Sequence, residues 1–361
     1  MFHFSPASLM SRSGLALMCS AVQAVAGEGE VLLYNWSGYI DPNAAALYQE
    51  RFGQRLVVDT YDLSDEAEAR LSAGGTGYDV AVVSSETIRR LMEAEVLLPR
   101  EMPVEIAPED PARQMRDALR AAIPGVQHYA VPYLWGTTGL VYDRDAVLER
   151  LPDAPLNSWG LIFDPTNAAA LEDCGLTIVD SVEEVVPAAL AYLGKDPNSK
   201  VPEEIEAAFD VLRQIAPYVR SFDTDQYDDV GNGEICAAIS WSSDGLGRDI
   251  EGSGGDYRYV TPVEGANFWV DLLVIPRDAP DPVRAAGLVE FILSPEVLLP
   301  SAEYAGACSS ISYAEGQEAE DGTSCAALAV PSQSNLYFLQ SRDAAEKAHF
   351  DSVWRLLQIE G

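Results

Sequence analysis

The chain has 361 residues, 48% of them apolar, and a formal charge of −34 from 57 acidic and 23 basic side chains. That length gives room for two ordinary domains or one large α/β unit with a sizeable core. The charge disfavours nucleic acid, whose phosphates such a surface repels, and no apolar run reaches the roughly 18–20 residues of a membrane helix.

Residues 1–26 read as a secretory leader. Arg12 is the leader's Lys or Arg, "GLALMCSAVQAVA" (14–26) is mostly apolar, and "AVA" (24–26) fits a small-residue cleavage site before Gly27. Lipid attachment at Cys19 is disfavoured by the bulky Met18 before it. The expected location is therefore the periplasm, reached through a cleavable signal peptide. Solubility and adaptation to salt account for most of the acidity, because few acids can line one site. The field would still concentrate a cationic solute.

After the leader, strand-like and helix-like stretches alternate. "EVLLYNW" (30–36) predicts a strand and 42–53 a helix closed by Gly53. A strand over 55–62, a helix over 64–75, a strand over 78–85 and a helix over 86–96 follow. The rhythm restarts after "AVPYLWGTTGLVYD" (130–143), with a strand at 176–181 and helices at 182–194 and 202–219. Strands at 234–241 and 266–276 and a helix at 282–294 complete it. Apolar runs without strict alternation suggest strands covered on both faces, hence a parallel sheet in two α/β units. Pro187 is awkward inside a helix, because it removes a backbone donor. Residues 314–326 read as an acidic surface loop held by Cys325.

Once the leader is gone, four cysteines remain: Cys174, Cys236, Cys308 and Cys325. They allow three pairings, and none is spaced C-x-x-C. Two disulfides in an oxidising compartment is the reading, with no metal and no cofactor. The acidic stretch 223–234 fails the calcium-loop pattern, with Tyr227 at a ligand position. There is no G-x-S-x-G, H-E-x-x-H or P-loop, and His128 and His349 have no partner in sequence. A secreted carboxylate hydrolase is the remaining enzymatic alternative, since paired acids with tryptophan also describe glycosidases.

Ligands of open α/β sheets bind beyond the carboxyl ends of the strands. The strand ends here hold Trp36, Ser37, Tyr39, Ser84, Glu86, Glu184, Trp241, Asp244, Trp269 and Asp271, with no Arg or Lys among them. Carboxylates pair with an organic ammonium through charge-assisted hydrogen bonds. Flat rings pack on its methylenes and attract the cation, by about 0.5–2 kcal/mol each. That combination suits a diamine or polyamine.

The motifs "YNWSGYI", "AGGTGYDVAVVS", "VPYLWGTTGLVYD", "SVEEV…YLGKDPNS", "GNGEICAAISWSSD", "VEGANFWVD" and "SPEV" resemble the periplasmic putrescine- and spermidine-binding proteins of bacterial ABC transporters. The resemblance runs from about residue 29 to the C-terminus, and the putrescine-binding branch matches best. It implies a two-lobed type II solute-binding fold with the ligand cleft between α/β lobes. The lobes are expected at 29–136 with 266–308, and at 137–265 with 309–361. It implies a receptor that hands putrescine or spermidine to an inner-membrane ABC permease. Another organic cation such as agmatine is the alternative. Trp36, Ser37, Tyr39, Ser84, Glu184, Trp241, Asp244, Trp269 and Asp271 match the family's site, with Asp271 as the acid that holds an amine. The family's disulfide falls on Cys174 and Cys236, which leaves Cys308 for Cys325.

Three positions depart from that pattern: Gly38 where many members have an acid, Ala307 where the family has a tyrosine, and Glu86 where binders have a small polar or aromatic residue. Other roles compete for some residues. "Ser181-Val-Glu-Glu184" is also a capping box, in which Glu184 would bond the Ser181 N–H. Trp241 and Trp269 could be core residues. Asp79 and Asp143 suit turns or caps, and Tyr133 and Trp135 suit packing as well as a cleft wall.

Overall fold

The computed structural model describes residues 29–99, 111–223, 234–245, 255–310 and 335–360. The leader, Cys19, Cys325, the loop 314–326 and most of the segment 223–234 lie outside the described residues. Ten strands appear among the described residues: β1 (Glu30–Trp36), β2 (Arg55–Tyr61), β3 (Val80–Ser84), β4 (Ala130–Asp143), β5 (Leu176–Val179), β6 (Ser221–Asp223), β7 (Ala237–Trp241), β8 (Tyr257–Val260), β9 (Phe268–Val274) and β10 (Cys308–Ser309). They join in the order β2-β1-β3-β9-β4-β7-β5-β6, with β8 and β10 each pairing β4.

The sheet is mixed, which corrects the parallel expectation. β1 runs parallel to β2 and β3, and β5 parallel to β6 and β7. β9 is antiparallel to β3 and β4, and β4 is antiparallel to β7, β8 and β10. The apolar runs report burial on both faces, and burial does not encode strand direction. In β3, Val80 and Val82 face one core while Ala81 and Val83 face another. The first core includes Leu288 and Val297 from helices Pro282–Ile292 and Pro295–Ala305. The second includes Met115 and Leu119 from Pro111–Ala122.

A third core belongs to the other end of the sheet. It gathers Leu140, Ile178, Ile239, Phe209 and Val185 with Phe350, Trp354 and Leu357 of the C-terminal helix Ala344–Glu360. One strand joins the two ends. β4 pairs with β9 up to Thr137, opposite Phe268, and with β7 from Thr138, opposite Trp241. At this change of partner the Thr137 N–H donates to Ser242 Oγ at 3.1 Å.

Local sequence explains several boundaries. Helix Ala44–Phe52 stops at Gly53, whose φ of 68° suits glycine. Asp143 caps Arg144–Arg150 by accepting from the Asp145 and Ala146 N–H groups. Asp79 is neither turn nor cap: buried, it accepts from the Leu32 N–H and pairs with Arg284, so the expected structural role holds for Asp143 and is of a different kind for Asp79. Helix Val182–Tyr192 runs through Pro187 without stopping; proline there only releases the Glu183 carbonyl from the helix ladder. The alternation did not announce helices Pro111–Ala122, Arg144–Arg150, Pro165–Leu171, Pro295–Ala305 and Ala344–Glu360.

Cys174 and Cys236 are disulfide-bonded and tie the entry of β5 to the entry of β7. Cys308 is also held in a disulfide. Cys325, the partner expected for it, lies outside the described residues.

Candidate functional site

Most of the expected site residues sit at or near the ends of β1, β3, β7 and β9, while Glu184 lies in the first turn of helix Val182–Tyr192, after β5. Asp271 lies within β9, opposite Ser84 in the β3 register, and is 4% exposed. The Trp36 indole N–H donates to Asp271 Oδ1 at 3.1 Å. The Tyr39 hydroxyl donates to the same carboxylate. Burial pushes the Asp271 carboxyl up to about 7, against the pull of these two donors. No Lys or Arg pairs with it among the described residues. Burial, then Asp271, push the Tyr39 phenol well above its ordinary value, so it stays protonated as a donor.

The loop after β1 is built to hold this geometry. The Ser37 N–H donates to the Tyr61 carbonyl, and the Trp36 ring lies 4.5 Å from that of Tyr61. Gly38 has a φ of +69°, a left-handed bend that an acidic residue there would adopt only with strain. The Tyr133 hydroxyl donates to the Tyr39 carbonyl at 2.7 Å. Tyr133 is fully buried, and Trp135 is 3% exposed with its indole on the Ser309 carbonyl. Both therefore brace the loop and strand from behind. Ser37 itself is exposed and Ser84 half-buried. Ala307 is buried in the core under helix Pro295–Ala305.

Glu184 gathers a second group from the other end of the sheet. Its carboxylate accepts from the Trp241 indole at 2.9 Å and from the Thr138 hydroxyl. Asn267 adds a third side-chain hydrogen bond. The capping box is not formed: the Ser181 N–H donates to the Val179 carbonyl, and the Glu184 carboxylate is occupied elsewhere. Burial raises the Glu184 carboxyl, and the three donors oppose it. Trp269 is half-buried, with its ring over Gly136 and its indole N–H buried without a partner among the described residues. A Cβ at Gly136 would stand 2.2 Å from that ring, so the close crossing requires glycine. Asp244 falls in the short helix Ser242–Gly245 that continues β7, and its side chain is outside what the structure describes.

Glu86 stands apart from the direct hydrogen bonds of both groups. With Glu183, Arg342 and Lys347 it lines a hollow of about 270 Å³, counting its open side. Burial and then the Glu183 carboxylate push Glu86 up to about 7, against the pull of Lys347. Lys347 pairs with Asp65 and lies 3.6 Å from Glu183.

Thr138, Asn267, Lys347 and Tyr337 were not singled out from sequence. Thr138 and Asn267 lie inside the motifs "WGTTG" and "GANFWVD", three residues from Trp135 and two from Trp269. Lys347 and Tyr337 come from a C-terminal segment that carries no strand-end signal. Among the described residues, no group of three or more His, Cys, Asp or Glu side chains could hold a metal.

A family model described as bacterial extracellular solute-binding protein matches residues 43–320. The putrescine/agmatine-binding protein of Pseudomonas aeruginosa is 37% identical over 295 residues, 80% of each chain. The putrescine-binding periplasmic protein PotF of Escherichia coli is 36% identical over 78% of each. Among solved structures, the spermidine/putrescine ABC transporter substrate-binding protein PotD of Streptococcus pneumoniae superposes with a TM-score of 0.72. That match covers 91% of this chain and 98% of the other at 24% identity, a likeness of fold.

Proposed function

This chain belongs to the bacterial extracellular solute-binding proteins, two-lobed receptors rather than enzymes, and from that premise we propose that its solute is a small organic di- or polycation of the putrescine class. The observation that carries this reading is Asp271. It is a buried carboxylate that, among the described residues, receives only the neutral donors of Trp36 and Tyr39. A buried charge without a counterion is costly, and an ammonium supplies the missing charge with charge-assisted hydrogen bonds. The Trp36 ring beside Asp271 suits the methylenes and the cation. Glu184, held by Trp241, Thr138 and Asn267, offers a second anionic pole. The putrescine and agmatine for which the relatives are named support the same class.

In this reading Trp36, Ser37, Tyr39, Ser84, Glu184, Trp241, Asp244, Trp269 and Asp271 line the cleft, and Glu86 sits at its edge. The lobes are 29–136 with 266–308 and 137–265 with 309–361, in keeping with the partner change in β4 and with the separate cores. The receptor is exported through its leader to the periplasm and delivers its solute to an inner-membrane ABC permease. Agmatine is a second reading, favoured by the extra acid at Glu86, because a guanidinium takes a bidentate carboxylate.

The test is calorimetry with putrescine, spermidine and agmatine, alongside mass spectrometry of solute retained after gentle purification. Binding of at least one of these amines is expected. Retention of a neutral or anionic solute, with no amine bound, would sink the proposal.

A further inference from the structure

We propose that the Tyr337 hydroxyl is a solute contact that works with Glu184 to receive one cationic end of the bound solute, an inference that rests on the reading of the solute as a di- or polycation. Tyr337 is fixed by its backbone beside the start of β9. Its N–H donates to the Ala266 carbonyl at 3.0 Å, and its carbonyl accepts from the Phe268 N–H at 2.8 Å. Asn267, between those two anchors, is one of the three side chains that bond Glu184. The next residue after Phe268 is Trp269.

The hydroxyl of Tyr337 is buried and has no hydrogen-bond partner among the described residues. Buried polar atoms are nearly always paired, so each exception calls for an explanation. The charge that acts on this phenol is Glu184. Burial, and secondarily that carboxylate, push it far above its ordinary value, so it stays neutral with its lone pairs free. Among the described residues the Glu184 carboxylate meanwhile receives only neutral donors, from Thr138, Trp241 and Asn267.

An alkylammonium has up to three N–H bonds to place. One can go to the Glu184 carboxylate and another to the phenol oxygen. The arrangement repeats the chemistry of the other pole, where Asp271 is accompanied by the Tyr39 hydroxyl. The two poles differ in one respect. Tyr39 already has its carboxylate partner, whereas Tyr337 is left for the solute.

The substitution Tyr337→Phe separates this role from a structural one. A hydroxyl that stabilises the fold through a partner would be missed in the empty protein; an orphan would not. The expected result is a thermal midpoint of the solute-free protein that is unchanged or higher, with putrescine affinity weakened by about ten- to a hundredfold. Unchanged affinity would overturn the inference, and so would a lower midpoint of the empty protein. Asp271→Ala, measured in parallel, tells the two levels apart. If Asp271→Ala loses putrescine and Tyr337→Phe does not, the solute reading stands and the Tyr337 inference fails. If the wild type binds no amine, both fail.

Discussion

At the scale of single residues, the buried acids set how binding responds to pH. Asp271 titrates at about 7 in the empty protein, while a cation needs it ionised. Binding below pH 7 must therefore release a proton, and affinity falls as pH falls, by at most tenfold per unit for one group. Calorimetry in buffers of different ionisation enthalpy should show that release between pH 5 and 7, and Asp271→Asn should abolish it. The stability of the empty protein has the opposite sign. An acid raised in the folded state contributes stability fully present below its unfolded value near 4 and lost as pH rises through about 7. The empty protein should melt higher at pH 5 than at pH 8. Asp271→Ala should cost two to three and a half decades of polyamine affinity, the equivalent of about 3–5 kcal/mol for breaking a buried ion pair. Less than a tenfold loss in a folded variant would remove Asp271 from the site. Glu86→Ser, tested on putrescine, spermidine and agmatine, should shift the three affinities unequally, and equal shifts would deny Glu86 any part in selection. The sequence singled out Trp36, Glu184, Trp241 and Asp271 as strand-end candidates, and the structure joins them in two hydrogen-bonded pairs, Trp36 with Asp271 and Trp241 with Glu184. The sequence could not show that Glu184 bonds Thr138 and Trp241 rather than its own helix start, because the capping spacing and the site spacing are the same letters.

At the scale of elements, the C-terminal helix does more than cover a core. Lys347, on Ala344–Glu360, reaches Asp65 of Ser64–Ala73 and Glu183 at the start of Val182–Tyr192, and its charge also lowers the Glu86 carboxyl. Lys347→Met should cost roughly 1 kcal/mol of stability by urea titration and should raise the Glu86 titration above about 7 by carbon NMR. An unmoved Glu86 titration would disprove the coupling. The Cys174–Cys236 bridge spans 62 residues, for which the chain-entropy model gives about 4 kcal/mol. The double Cys→Ser variant should lose that order of stability while keeping its register, and peptide mapping should find Cys308 joined to Cys325. Most elements around the site were legible from apolar runs closed by glycines. The helices missed, such as Pro165–Leu171 and Ala344–Glu360, lack that punctuation, and strand direction is silent in a pattern that reports only burial.

For the whole molecule, 57 acidic against 23 basic residues make a strongly self-repelling surface. Salt screens such repulsion over about 8–10 Å, so the melting point of the empty protein should rise between 10 mM and 0.5 M NaCl. The association rate of a dication should fall over the same range; a flat stopped-flow profile would mean that the field does not steer the solute. The two-unit organisation was legible in the restarted rhythm after β4. That β4 is shared by both was implied only through the family resemblance, which put a lobe boundary at 136/137; the continuous apolar run itself gives no sign of where the neighbours of β4 change. This sharing has a consequence for the order of synthesis. β3 finds its inner neighbour only in β9, and β9 pairs in turn with β4. The chain between β4 and β9 must therefore be made before the first unit can close. Until residue 274 leaves the ribosome, β3 has no neighbour on its inner side and the nascent chain has no complete unit to fold. The interleaved connectivity thus postpones folding until nearly the whole polypeptide exists, and a ribosome-stalled chain ending at residue 265 should be digested by protease throughout residues 29–143.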